Sequence, residues 1–285
     1  MSWQLLITIS VLLYSFSFII QKILLKGEKS EPISFCVFFQ IGVSIVIGIL
    51  VFIIQGKIPI PDLSKITWSL LVMTILYAAA NISIFKSLKT IEASKFTVIF
   101  SSKTLFAILG SSFIFKEILT STQWIGAALI LIGVGIVTLK NFTRRFNKGD
   151  LLALLAAVFF GLANTNDRFL VNFFDPYSYV AIGFLLPGLV IALFYPKKLK
   201  NIKIYLKKNY LYKMTILCLL YGFSSVAFFA ALQTTTNSSQ LFSINSFGAI
   251  LTVILSILIL GEKDRSFQKI LGVVVSVVGL FLVNK

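Results

Sequence analysis

The 285-residue sequence contains no histidine. That absence removes Ser/His nucleophilic triads and histidine-ligated metals from consideration. Cysteine is nearly absent too. Cys36 and Cys218 are the only two, both lie in apolar stretches, and no Cys-x-x-Cys spacing occurs, so they read as small apolar fillers and say little about redox compartment. Charged residues make up 13% of the chain, against about 25% in a typical soluble domain. A soluble fold of this size could not cover its surface with so few. No metal or cofactor is expected.

What is present is hydrophobic sequence: 58% of residues, with a mean hydropathy of +0.96. The apolar residues fall in blocks of roughly 17–23, the length that crosses a hydrocarbon core of about 30 Å as helix. Ten spans are expected: Trp3–Leu25, Ile33–Ile54, Trp68–Lys86, Ser94–Phe115, Gln123–Leu139, Leu151–Phe169, Tyr177–Tyr195, Tyr212–Leu232, Leu241–Leu260 and Phe267–Val283. Short polar or turn-forming connections separate them, among them Lys26-Gly27-Glu28-Lys29, Pro59-Ile60-Pro61-Asp62 and Asp175-Pro176. The first span has no basic start and no small-x-small site after it, so it reads as retained rather than as a cleaved signal.

A net charge of +16 would suggest nucleic acid in a soluble protein. Here the cations sit in short loops, and membrane orientation accounts for them without a nucleic-acid partner. The loops after spans 1, 3, 5, 7 and 9 carry 19 of the 26 basic residues. The opposite side has only Lys57, Lys65, Lys116, Arg168 and Lys285. The positive-inside rule places the basic side in the cytoplasm and both termini outside, in a plasma (bacterial inner) membrane.

Ten spans invite comparison of the chain with itself. Leu76-Tyr77 recurs as Leu220-Tyr221, 144 residues later, and Phe85, Leu88, Thr90 and Ser94 recur as Phe229, Leu232, Thr234 and Ser238. Phe115-Lys116-Glu117 corresponds to Leu260-Gly261-Glu262, and Gly126 and Gly133 to Gly272 and Gly279. The expected fold is therefore an all-α integral membrane protein of ten transmembrane helices. They form two five-helix repeats, residues 1–146 and 147–285. An odd number of spans per half makes the repeats inverted. Each glycine pair lies on one helix face, where close packing is possible within the monomer or between monomers, which leaves the oligomeric state open.

These motifs resemble the EamA-type branch of the drug/metabolite transporter superfamily. Phe-Lys-Glu117 followed by Gln123-x-x-Gly126, and Leu-Gly-Glu262 followed by Gln268-x-x-x-Gly272, carry the likeness, with Thr90-x-x-x-Ser94 and Thr234-x-x-x-Ser238 between the third and fourth helix of each half. The resemblance implies transport, not enzymatic activity, and export from the cytoplasm. One departure concerns the fourth helix of each half, where family members often carry proline. Here the stretches read Ser101-Ser102-Lys103-Thr104 and Asn245-Ser246-Phe247-Gly248, so any kink must be weaker or come from Ser and Gly.

Polar residues at mid-membrane depth are costly and normally face the bundle interior. Lys103, about nine residues into span 4, is the clearest case. It reads either as a fixed cation of a transport cavity, attracting a carboxylate or phosphate, or as a structural lysine bonded to helix carbonyls or a hydroxyl. Lys22 and Lys86, near helix ends, are expected to snorkel. Tyr77 and Asn81 share one face of span 3, Tyr221 and Ser225 take the matching positions in span 8, and Asn245 is the counterpart of Ser101. Asn164 and Asn166 lie deep enough in span 6 to meet substrate, while Asp167 and Arg168 neutralise each other or find other partners near the interface. Interhelical hydrogen bonding is the alternative use for all of these, at ~0.6 kcal/mol per contact.

None of the ten acidic residues sits centrally in a span. With no histidine either, a proton carrier is not evident, which disfavours a cationic-drug/proton antiporter and favours a uniporter or exchanger. The expected function is alternating-access transport of a small polar metabolite across the lipid bilayer. Amino acids and organic anions are the foremost substrate classes. A nucleotide-sugar or phosphorylated-metabolite exchanger ranks second, because Lys103 is the only deep cation available for phosphate. A membrane-embedded lipid-modifying enzyme ranks third, for want of a nucleophile with a base.

Overall fold

The computed structural model describes residues 2–115, 120–138, 147–235 and 238–283. Among them the chain is helical, with no strand. The helices are α1 Trp3–Lys26, α2 Pro32–Gln55, α3 Thr67–Thr90, α4 Ala93–Ser101, α5 Lys103–Phe115, α6 Ser121–Thr138, α7 Lys148–Leu170, α8 Pro176–Phe194, α9 Lys208–Thr234, α10 Ser238–Ile259 and α11 Ser266–Val283. Helix starts are encoded locally. Pro32 and Pro176 occupy first-turn positions where no N–H is needed, behind the capping carboxylates of Glu31 and Asp175. Asn147 and Asp150 form a reciprocal capping box at α7. Gly56 ends α2 in the left-handed region at φ 71°.

Eight of these helices are long and apolar enough to cross a membrane. Large apolar side chains cover their outside, with Trp68 81% and Ile53 72% exposed, a surface that requires lipid around it. The chain is a multi-pass membrane protein. The expected fourth span, Ser94–Phe115, is divided into α4 and α5, and the apolar part of α10, Ile244–Ile259, is shorter than the eight. Helix length alone thus gives eight spans where ten are expected. The division at Ser102 has a local cause. Ser101 Oγ donates to the Val98 carbonyl at 2.6 Å and Ser102 Oγ to the Ile99 carbonyl at 2.7 Å, so hydroxyls compete for the helix's own acceptors. Serine here takes the place of the missing proline, while α10 continues through Asn245-Ser246 without a break.

Helices pack in pairs: α1 on α9, α3 on α7, α2 on α8 and α6 on α11, with α5 also against α7 and α10 against α1. The α6–α11 seam is close-packed along two glycine pairs. A Cβ on Gly126 would lie 2.6 Å from the Gly279 carbonyl, and one on Gly133 would lie 2.5 Å from the Gly272 carbonyl. These two glycine pairs therefore pack against each other inside one chain, bringing backbone onto backbone.

At one end of the bundle, side chains tie the basic connections together. Lys22 Nζ donates to the Leu88 and Ile91 carbonyls at 2.6 Å, so it caps α3 rather than snorkelling. Lys89 Nζ reciprocates on the end of α1, at 2.9 Å from the Leu25 carbonyl and 2.6 Å from that of Gly27. At the other end Gln233, 144 residues after Lys89, donates to the Val171 and Phe174 carbonyls at 2.7 and 2.8 Å. The same cap occurs twice, with a cation at the basic end and an amide at the opposite one.

The loop glutamate of the repeat motif has a structural use. Glu92 stands at the N-cap of α4 without a side-chain cap bond. The carboxylate comes instead from Glu262, which accepts from Ala93 N at 2.7 Å, Ser94 N at 2.9 Å and Ser94 Oγ at 2.5 Å. Lys269 completes the clasp by pairing with Glu92 at 2.7 Å and donating to the Glu262 carbonyl at 2.9 Å. Lys95 and Asp150 pair nearby at 2.6 Å. The matching glutamate, Glu117, and its neighbour Lys116 lie outside the described residues, as does the side chain of Ser238.

Candidate functional site

A cavity of about 230 Å³ lies where α1, α2, α3, the α4–α5 break, α7, α8, α9 and α10 converge. Its wall is displaced away from the basic end. On α7 the lining runs from Phe160 to Arg168 and on α8 from Tyr179 to Phe184, both at the helix ends opposite the Glu262 clasp. Aromatic rings supply much of the surface. Tyr77 and Phe100 each meet the Phe160 ring at 5.2 Å, and Tyr14 and Tyr221 face each other at 5.7 Å. Such a wall accepts an apolar body and leaves specificity to a few polar groups.

Eight of the nine residues singled out from sequence line this cavity: Tyr77, Asn81, Ser101, Lys103, Asn164, Tyr221, Ser225 and Asn245. Asn166 does not. Its amide donates to the Ser69 carbonyl at 2.8 Å and ties α7 to the start of α3. Asn81 spends its own amide on the Tyr77 carbonyl at 2.8 Å.

Lys103 owes its position to the break at Ser102, which makes it the first residue of α5. Its ammonium lies 4.8 Å from the centroid of Phe100 and 4.7 Å from that of Phe160. Among the described residues it has no carboxylate or carbonyl partner. Two ring faces orient a cation without neutralising it, because the attraction comes from ring quadrupoles that carry no net charge.

Further polar groups went unnoticed in the sequence. Gln40, on α2, is 1% exposed, lines the cavity, and its Oε1 has no hydrogen-bond partner among the described residues. A buried acceptor of this kind is costly unless something binds it. Glutamine inside an apolar block gives no sign in sequence of whether it is paired. Ser10 and Ser224 bridge α1 to α9 by donating to each other's backbone carbonyls at 2.8 and 2.9 Å.

Asp167 is also misjudged by its place in the chain. It lies in the last turn of α7, where an interfacial residue is expected, yet it is 3% exposed. Its carboxylate accepts from Tyr179 Oη at 2.6 Å and from Tyr77 Oη. Of the two alternatives for Asp167, partners elsewhere are what the fold supplies, from α3 and α8. Among the described residues no group of His, Cys, Asp and Glu could hold a metal ion.

Comparison with known proteins follows the same lines. A family model described as the EamA-like transporter family matches residues 1–139 and again 147–285. No curated protein matches the sequence. Among solved structures, one crystal structure of another protein superposes with a TM-score of 0.59 at 15% identity, spanning 98% of this chain and 95% of that one. At that identity the likeness is one of fold.

Proposed function

The chain belongs to the EamA-like transporter family, and from that premise we propose that it is a secondary transporter exporting a small polar metabolite, an amino acid or organic anion, by alternating access. The observation that carries this reading is Lys103, an ammonium in the cavity wall whose contacts among the described residues are two phenyl faces. It fits a substrate carboxylate.

The transport cycle follows from two inverted halves, residues 1–146 and 147–285, rocking about the cavity. The doubled family match, the exchange of packing partners between α1–α9 and α3–α7, and the equivalent caps at Lys89 and Gln233 support it. In this arrangement the basic end is closed by the Glu262 clasp and the cavity leans to the other. With the basic end cytoplasmic, that is the closed-inside state of an exporter.

Two measurements test the reading. Amino acids and organic acids are screened for a rise in the melting temperature of the purified protein, and the best is then followed into proteoliposomes. Lys103→Gln should cut transport of that solute by about 30-fold or more, the loss of one desolvated charge contact of about 2 kcal/mol or above, with folded yield retained. Unchanged transport would remove Lys103 from the site.

A further inference from the structure

Among the described residues Asp167 is the one buried carboxylate behind the cavity wall, and the substrate contacts proposed above do not use it. It is 3% exposed and itself absent from the lining. Both residues that hold it, Tyr77 and Tyr179, are in the lining. Tyr77 Oη stands between two acceptors, the Asp167 carboxylate on one side and Asn164 Oδ1 on the other, at 3.1 Å. Asn164 also faces the cavity. Asp167 is thus one phenol away from whatever occupies the site.

From this geometry we infer that Asp167 is a proton-binding site coupled to the cavity, so that transport is linked to proton movement. The inference rests on the transport reading above. The coupling is a matter of which atom donates. Ionised, Asp167 accepts from both phenols, and the Tyr77 hydroxyl is engaged with it. Protonated, Asp167 carries the O–H and donates to a phenol oxygen. The Tyr77 hydroxyl then turns its proton towards Asn164 and the cavity. One proton bound at Asp167 therefore changes the donor pattern presented to the solute. No residue between them need move except by rotation of a hydroxyl.

The ionisable groups that surround Asp167 fit this use. From α3 and α8 they are the two phenols. From α9, Tyr221 lines the cavity, and from α5, which packs on α7, Lys103 does so with its ammonium over Phe100 and Phe160. Arg168, next to Asp167 on α7, also lines the cavity. Binding of a solute anion beside these cations and release of a proton from Asp167 act on one set of hydrogen bonds. Linkage requires the effect to be reciprocal: if the proton changes solute affinity, the solute changes proton affinity by the same factor.

The test uses the full chain in lipid vesicles. Infrared difference spectra titrated over pH should contain a protonated-carboxyl C=O band that Asp167→Asn removes and Tyr179→Phe displaces in frequency or midpoint. The melting-temperature screen over amino acids and organic acids is then run at about pH 5 and about pH 8. In the wild type the apparent affinity of the stabilising solute should differ by about fivefold or more between the two, and in Asp167→Asn the difference should vanish. A spectrum without a titrating Asp167 band overturns the proposal, and so does a pH dependence that survives in Asp167→Asn. If no solute stabilises the protein at either pH, the transport reading fails first and the coupling falls with it. If solutes bind with equal affinity at both, only the coupling fails. Should Asp167→Asn not fold, Tyr77→Phe leaves the carboxyl in place but removes its link to Asn164, and the loss of pH-dependent affinity is read there.

Discussion

Replacing Glu262 by alanine isolates one contact that joins the two ends of the chain. The side chain is 8% exposed and accepts three hydrogen bonds, two from the backbone N–H groups of Ala93 and Ser94 at the start of α4 and one from the Ser94 hydroxyl. These N–H groups are orphan donors that no carbonyl within α4 can reach, and Glu92 at the N-cap does not serve them. Losing their acceptor costs about 1–3 kcal/mol for each buried donor, and removing an anion from a helix N-terminus about 0.3–1 kcal/mol more. For the two backbone donors a total of about 2–7 kcal/mol follows. At about 2 °C per kcal/mol for a chain of this length, the melting midpoint should fall by about 4–14 °C. Glu262→Gln keeps an acceptor but loses the charge, so it should cost about a third as much. The midpoint is read by intrinsic fluorescence in detergent at one fixed heating rate, because a midpoint from irreversible unfolding depends on scan rate. Lys269→Met serves as the control for the Glu92 pair, since alanine at 262 leaves the backbone carbonyl that Lys269 also holds. If Glu262→Ala melts within about 1 °C of wild type, or no lower than Glu262→Gln, the carboxylate is not what anchors α4 and the reasoning is wrong.

Two further perturbations have direct structural expectations. Gly133→Val puts a side chain against the Gly272 carbonyl and Ser276, and overpacking of this kind costs about 1–3 kcal/mol or more. Monodisperse yield on size exclusion should drop sharply, whereas Gly48→Ala, whose added carbon would meet only Ile58 at 3.8 Å, should leave it intact. Tyr205, buried in the connection from α8 to α9 against Phe35 and Phe38 of α2, exchanges hydrogen bonds with the Glu31 backbone at 3.1 and 3.2 Å, and burial pushes its phenol from 10.0 up to about 12. An acid held protonated in this way stabilises the fold fully below pH 10 and loses that contribution as pH rises through about 12. Melting midpoints should therefore decline over that window, and Tyr205→Phe should flatten the decline while lowering the neutral-pH midpoint by the loss of about 1 kcal/mol.

Sequence and structure contribute differently at particular residues. Helix positions were legible because lipid sets both length and polarity, so Trp3–Lys26 and Pro32–Gln55 differ from the expected spans by a residue or two. The fourth span was not, since Ser101 and Ser102 break it through hydroxyl-to-carbonyl bonds that composition does not distinguish from ordinary helical serines. Lys103, Tyr77 and Tyr221 could be singled out because a polar side chain at depth demands an interior place. Asn166 answered the same description and met a backbone carbonyl instead.

The sequence by itself determined that the chain lives in a membrane, how its cations divide between two ends, and that its second half repeats motifs of its first. Each follows from transfer of residues between water and hydrocarbon, an energy that depends on residue type and depth alone. Tertiary structure alone decided that Gln40 is left unpaired, that Glu262 caps a helix 169 residues away, and that Asp167 is enclosed by two phenols at a helix end that looks interfacial. Those outcomes depend on which helix faces which. A hydrogen bond is fixed by distance and direction between two groups, and neither can be read from the position of one of them in the chain.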